Sequence, residues 1–359
     1  MLEKIKESTT IILAPVQKVV DKKMSVFYNP VMKLNRDLSV LVLLTAKNYG
    51  MKIADPLAGS GIRAIRIINE VDNSKIENIF VNDKKENYKE YFEENLKINK
   101  LPKEKKEKIL VFNEDANIFL LQNKPFDYID IDPFGSPNPF LDTACRSIRN
   151  KGILAITATD TSALCGTYPK VCKRKYWAEP LKNELMHELG LRILIRKIQL
   201  IGAHHERALR VLCSYSMDHY MRVFLVFEKS KENTNKILEQ HKEYDFEGKK
   251  YGPMYFGELN DLDFLKRMKS EAEDNRGNMD ERSIKLVNSL IAETEIGGVG
   301  FHDIHKIAKR NKISIPKYEL IFKELQKKGY KYSRTHFTDT GIKTDAPESE
   351  IEKIMKSAH

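Results

Sequence analysis

Between residues 51 and 159, five short and nearly continuous apolar runs alternate with four stretches of helical periodicity. The runs lie at 51–55, 78–82, 109–113, 126–131 and 152–159, and the helical stretches at 61–71, 85–99, 116–122 and 137–149. A strand that is apolar at almost every position needs cover on both faces. Strand–helix alternation supplies it by laying helices on both sides of a parallel sheet. A long helical stretch around 180–201 follows, then strand-like runs at 208–215 and 220–228, with Ser216 to His219 as a hairpin turn. The expected fold class is α/β, a parallel sheet finished by an antiparallel hairpin.

A length of 359 residues favours two domains. The charged segment 229–250 marks the expected boundary, dividing the chain into 1–230 and 231–359. Helical patterns at 283–294, 301–310 and 316–328 precede a strand-and-turn pattern at 330–343, so the second unit is expected to be a smaller α+β domain, winged-helix-like in part. Such domains serve nucleic-acid binders and protein contacts alike. Lys+Arg 61 against Asp+Glu 51 gives a net charge of +10, which suits a polyanionic partner, and 41% hydrophobic residues exclude general disorder. Cys145, Cys165, Cys172 and Cys213 form no C-x-x-C pair, so neither a disulfide framework nor a zinc ribbon is expected. The N-terminal MLEKIKESTT lacks a signal-peptide core, and no apolar run reaches membrane-spanning length. A cytoplasmic protein with no membrane association and no obligate protein partner is expected.

The first strand ends in Asp55-Pro-Leu-Ala-Gly59-Ser-Gly61 before a helix. Glycines at such a turn let backbone approach a ligand, and the helix start favours a negative group. The D-x3-G-x-G spacing is not the dinucleotide fingerprint G-x-G-x-x-G, which disfavours a NAD dehydrogenase. The second strand ends at Asp83, suited to ribose hydroxyls, and the third at Asp115-Ala116, where Asp115 suits an adenine amino group. Acids at successive strand ends beside one Gly loop, on the edge where open α/β sheets bind ligands, favour a nucleoside cofactor. Arg63 and Arg66 share one helix face. Either suits a ligand carboxylate, and the other is expected at a solvated surface.

The fourth strand runs into Asp130-Ile-Asp132-Pro133-Phe134-Gly135, with Asp130 and Asp132 on one face. An acid–Pro–aromatic turn at a strand end suits methylation of an exocyclic amine, whose lone pair is delocalised into its ring. Asp132 and the Pro133 carbonyl would accept hydrogen bonds from the amine and aim its lone pair at an electrophilic methyl, while Phe134 offers a stacking face. Together with the Gly loop this reads as an S-adenosylmethionine-dependent N-methyltransferase. The competing readings are a methyltransferase for rRNA guanine N2 or adenine N6, and a non-enzymatic RNA-binding protein.

The stretches FYNPVMKLNRDLS (27–39), DPLAGSGIRAIR (55–66), IDIDPFGSP (129–137), YSRTHF (332–337) and GIKTD (341–345) together resemble the tRNA (guanine(26)-N(2))-dimethyltransferases, nearly end to end. The resemblance implies a class I methyltransferase domain with a Rossmann-like sheet, a family-specific C-terminal tRNA-binding domain, and transfer of one or two methyl groups from S-adenosylmethionine to guanine N2 in tRNA. Carried over, Arg36, Gly59, an arginine of the helix (Arg63 or Arg66), Asp83, Asp115 and Ala116 would hold the cofactor. Asp132 would be the catalytic acceptor, and Phe27 with Phe134 would sandwich the guanine. Some relatives carry four zinc-ligand cysteines before a segment like YGPMYFG (251–257). Residues 229–250 have none, so no metal is expected. KVCKRKYW (170–177) interleaves bases with aromatics, and Lys317, Lys323, Lys327, Lys328, Lys331 and Arg334 make the C-terminal unit basic, both suiting RNA.

Overall fold

The computed structural model describes residues 2–15 and 27–357. A hairpin of β1 (Leu2–Glu7) and β2 (Thr10–Pro15), not anticipated from the sequence, precedes α1 (Lys33–Thr45). The α/β alternation then runs β3 (Met51–Asp55), α2 (Ile62–Glu70), β4 (Ile76–Asn82), α3 (Tyr88–Ile98), β5 (Ile109–Phe112), α4 (Ala116–Asn123), β6 (Phe126–Ile131), α5 (Asn138–Ser147) and β7 (Ile148–Ala158). Helices α6 (Pro169–Tyr176) and α7 (Met186–His204) lead into β8 (Arg207–Met217) and β9 (Tyr220–Lys229). The seven strands form one sheet in the order β5-β4-β3-β6-β7-β9-β8. Strands β3 to β7 are mutually parallel, and β9 is antiparallel to both β7 and β8.

Because side chains alternate across a strand, each strand feeds both layers. Ile53 and Tyr128 pack with α1, α2 and α3 on one face, whereas Ala54 and Ile129 pack with α5 and α7 on the other. Several boundaries differ from expectation, β7 for one beginning at Ile148 inside the helical stretch expected at 137–149, and two more shape the fold. Met217 pairs directly with Tyr220, which shortens the turn to Asp218 and His219. Helix α7 begins only at Met186, because the preceding segment is drawn into an extended bridge in which Glu179 and Gly252 exchange backbone hydrogen bonds of 2.7 Å.

The charged segment 229–250 is structured. Helix α8 (Lys231–Leu238) leads to a hairpin of β10 (His241–Phe246) and β11 (Lys249–Tyr255), whose Tyr244, Phe246, Tyr251 and Met254 pack on the α7 layer while the lysines and glutamates point outward. Beyond it, α9 (Leu262–Asp274) and α10 (Glu281–Ile296) bury Leu265, Met268, Val287 and Leu290 in the same core as Leu38 and Leu41 of α1. Asp37 ties the two together by accepting from the Asp280 amide and the Ser283 hydroxyl, each at 2.9 Å. Hydrophobic continuity therefore runs past the expected division at 230/231. A separate core begins at Ile304 and contains Ile321, Leu325, Ile342 and Ile351. In that unit β12 (His302–Asp303), α11 (Ile304–Asn311), α12 (Tyr318–Lys327), β13 (Tyr332–Arg334) and β14 (Gly341–Thr344) follow α10, with sheet order β12-β14-β13 and α13 (Glu348–Ser357) at the end. Helix, strand, helix, helix and hairpin in that order make a winged-helix arrangement.

Candidate active site

After β3 the chain moves outward through β4 and β5, then returns to place β6 on the other side of β3. The loops leaving β3 and β6 thus diverge, and a crevice opens at the C-terminal edge of the sheet. A cleft of about 970 Å³ lies there. Ten of the eleven site residues expected from the sequence line it: Phe27, Arg36, Gly59, Arg63, Asp83, Asp115, Ala116, Asp132, Pro133 and Phe134. Arg66 does not.

The Gly loop is held from below. Gly59 and Gly61 both have left-handed backbones, with φ of 56° and 73°. A Cβ on Gly61 would lie 2.2 Å from the Phe92 ring, and one on Gly59 would lie 3.2 Å from the Phe27 carbonyl oxygen. At Gly59 backbone therefore meets the cleft where a side chain would crowd Phe27, whereas a side chain on Gly61 would strike the buried core. Asp83 accepts from the Gly59 amide at 2.8 Å and the Lys85 amide at 2.9 Å, which joins the loops after β3 and β4. Asn82 extends the brace: its side chain donates to the carbonyls of Pro56 and Glu114 and accepts from the Glu114 amide. Asp115 caps α4, accepting from the Asn117 and Ile118 amides at 2.9 and 3.3 Å.

The arginines correct the expectation that one of the two guanidiniums is solvated. Both are buried. Arg66 points away from the cleft into a cluster of Glu7, Asp37 and Glu70, at 3.0, 2.6 and 2.9 Å. Arg63 faces the cleft, but its partners are protein groups. It donates to the Asp132 carboxylate, to Asn35 Oδ1 at 2.9 Å and to Ser39 Oγ at 2.6 Å, with Asp130 Oδ2 at 3.4 Å. Asp130 and Asp132 do share a face, and Arg63 bridges them. Arg36 lines the cleft with its guanidinium engaged by both Glu7 oxygens and the Asn29 carbonyl.

Beneath Asp132 lies a charged layer completed by Arg222, which no sequence motif marks. Arg222, fully buried on β9, donates to both Asp130 oxygens at 2.9 and 2.7 Å, to Thr157 at 2.8 Å and to Ser39 at 2.9 Å. Burial opposes a charge on Asp130, yet the guanidiniums of Arg222 and Arg63 outweigh it and hold the carboxyl below its usual range. An arginine amid the apolar residues of β9 was the available signal, since a buried charge requires a partner. Asp55, at the end of β3, also lines the cleft. Burial pushes its carboxyl up to about 8; Arg63 opposes this, and the charges of Asp130, Asp132 and Asp83 add to it. Its Oδ2 has no hydrogen-bond partner. His219 of the β8–β9 turn and Tyr220 at the start of β9 complete the wall.

Phe27 and Phe134 meet edge to face, with ring centroids 4.3 Å apart and planes at 73°. They are too close for a base to lie between them, so the implied sandwich requires the rings to part. Phe134 is 51% exposed at the rim. Among the described residues, no group of three or more His, Cys, Asp or Glu is arranged to hold a metal ion.

The cleft fits a nucleoside-linked cationic ligand. The glycine backbone gives close approach, carboxylates stand at three successive strand ends, and a buried acid has one oxygen unpartnered. Sheet order and site together define a class I methyltransferase fold. The model for N2,N2-dimethylguanosine tRNA methyltransferase matches residues 6–245 and 231–356. The chain is 37% identical to the tRNA (guanine(26)-N(2))-dimethyltransferase of Methanobrevibacter smithii, over 99% of this chain and 97% of that protein. It is 35% identical to the tRNA (guanine(26)-N(2)/guanine(27)-N(2))-dimethyltransferase of Aquifex aeolicus, over 99% and 96%. Among solved structures, Trm1 from Pyrococcus horikoshii in complex with S-adenosyl-L-methionine aligns with a TM-score of 0.88 at 34% identity, covering 99% of this chain and all of that one. The chain belongs to the N2,N2-dimethylguanosine tRNA methyltransferase family.

Proposed function

We propose that the protein methylates the exocyclic N2 of guanine 26 in tRNA once or twice, using S-adenosylmethionine, in the cytoplasm. The observation that carries this reading is the Asp132-Pro133-Phe134 turn, fixed by Arg63 at the sheet's switch point beside the Gly59 loop. S-adenosylmethionine, when bound, supplies an electrophilic methyl group. Asp83, Asp115 and the backbone of Gly59 and Ala116 hold the nucleoside end, with Arg36 on the adjoining wall. Asp132 accepts a hydrogen bond from the guanine amine and the Pro133 carbonyl accepts a second, turning the nitrogen lone pair out of conjugation. Arg63 acts through Asp132: its bonds to Asn35 and Ser39 fix the guanidinium, and the guanidinium fixes the carboxylate. Phe134 and Phe27 close on the swung-out base, offsetting an unstacking cost of roughly a few kcal/mol. The amine loses one proton at each methylation, and Asp132 is the acceptor placed to receive it. The winged-helix unit, with Lys317, Lys323 and Lys327 on or beside α12, contacts the tRNA backbone.

The test is incubation of purified protein with unmodified tRNA transcripts and S-adenosylmethionine, followed by nucleoside mass spectrometry and mapping. Dimethylguanosine at position 26 is the expected product, and mapping also detects any modification at guanine 27. Methylated adenosine, or no methylation, would refute the reading.

A further inference from the structure

Helix α6 spans two turns, about 12 Å, between two exposed rings. Tyr168 at its N-terminal end is 58% exposed, and Trp177 at its C-terminal end is 51% exposed. Lys170, Lys173 and Arg174 between them are exposed, and none forms an ion pair among the described residues; Lys175 alone is paired, with Asp160 at 3.1 Å. Behind the rim, Lys197 stands over the Trp177 ring and Arg196 donates to the Trp177 carbonyl at 3.3 Å. Two half-exposed rings flanking unpaired cations match a strand of nucleic acid, with phosphates for the cations and unstacked bases for the rings.

The same helix is hydrogen-bonded to the catalytic turn. The buried Tyr176 hydroxyl meets Ser136 Oγ at 3.0 Å and donates to Asp160 at 2.5 Å. Asn138 donates to the Lys175 carbonyl at 2.8 Å. On the other side of the turn, the Gly135 amide donates to Thr159 Oγ1 at 2.6 Å, and the Thr159 amide donates to the Gly135 carbonyl at 2.9 Å. Ser136 and Thr159 both line the cleft. A strand seated on α6 is therefore held in fixed register with Asp132 and Phe134.

We propose that α6 with Tyr168 and Trp177 is the docking surface for the tRNA backbone flanking the target nucleotide. The proposal rests on the tRNA reading above and adds a location: recognition begins on the catalytic unit itself, beside the cleft, and not solely on the winged-helix unit.

The test compares wild-type protein with Lys173→Glu/Arg174→Glu and with Trp177→Ala. It measures tRNA affinity and steady-state methylation between about 50 and 200 mM salt, the range in which phosphate contacts dominate. Both variants are expected to keep wild-type S-adenosylmethionine affinity and melting temperature, which shows them folded. The double variant should raise KM and Kd for tRNA about tenfold or more, leave kcat within about twofold, and make the log–log salt slope shallower by about 2, one for each phosphate deprived of its cation. Trp177→Ala should weaken binding about tenfold with the slope unchanged, as removal of a stacking ring requires. Unchanged tRNA affinity and salt slope would overturn the proposal and leave the surface to an acidic protein partner. A fall in kcat with affinity intact would overturn it equally. If the wild-type protein binds tRNA without methylating it, the functional reading fails while the binding arms still decide the docking surface.

Discussion

Asp55→Asn isolates one buried acid whose energetics are large enough to measure. Burial, with the neighbouring carboxylates, pushes Asp55 from the usual 3.8 up to about 8. The native state therefore keeps this proton over the range in which the unfolded chain has released it. The sign follows: its effect on stability is most favourable below about pH 4, worsens as pH rises, and levels off above about pH 8. Each unit of pH inside that window costs about 1.4 kcal/mol for a fully displaced titration. Integrated between pH 6 and 9, and allowing for the flattening near 8, the loss is about 3 kcal/mol. Asparagine keeps the shape and cannot ionise. Urea unfolding of wild-type and Asp55→Asn protein, without cofactor, at pH 6 and pH 9 removes every other titration by difference. The wild type should lose about 3 kcal/mol more than the variant over that interval. Two stability curves that fall in parallel would refute the assignment of a protonated acid in the cleft.

Three further outcomes test neighbouring features. Asp132→Asn should slow single-turnover methyl transfer to tRNA by about 100-fold or more while leaving S-adenosylmethionine affinity, read by calorimetry, within about threefold; equal loss of both would remove Asp132 from the chemistry. Burial raises the Glu7 carboxyl, but Arg36 and Arg66 overcome that and hold it at about 2, so its contribution is present above pH 4.5 and lost on acidification towards pH 2. Acid unfolding of Glu7→Gln should accordingly lack about 3 kcal/mol of the pH-dependent loss seen in wild type. Gly61→Ala combines a left-handed backbone with a Cβ 2.2 Å from Phe92 and should destabilise by about 2–4 kcal/mol in urea, whereas Gly50→Ala, with φ of 59° and nothing near its Cβ, should cost about 1 kcal/mol.

The sheet was legible because near-continuous apolar runs alternate with helical stretches, a pattern that a mostly parallel sheet covered on both faces accommodates. The cleft followed from it, since acids and glycines at strand ends converge once strand order is known. The hairpin at Leu2–Glu7 and Thr10–Pro15 was not legible. Its strand β1 is mostly exposed and polar, and it is held by remote partners: the Leu13 amide donates to Asn95, and Glu7 reaches Arg36 and Arg66. The charged segment at 229–250 misled for a related reason. A hairpin lying on a helix buries only every second or third residue, and composition averages over those few. Arg63 and Arg66 lie three apart on one helix and read as equivalent, yet their partners come from other elements. Asp130 and Asp132 draw one to the cleft, while Glu7 and Asp37 draw the other behind it.

That separation resolves two opposed electrostatic demands. A sulfonium donor is a cation and favours carboxylates around it, whereas tRNA is a polyanion that those carboxylates repel. In the cleft, Arg36 is engaged by Glu7, and Arg63 by Asp130 and Asp132, so these cations are spent on protein acids. Asp83 and Asp115 accept from backbone amides and bring carboxylates to the nucleoside end, with Lys84 and Lys85 beside them. Lys170, Lys173 and Arg174, which form no ion pair among the described residues, lie outside, on a helix joined to the Asp132-Pro133-Phe134 turn through hydrogen bonds. With tRNA docked as proposed, the phosphates are drawn to the rim and only an uncharged base enters. Phe134, half exposed between the two regions, stands on the path that the proposed docking gives that base.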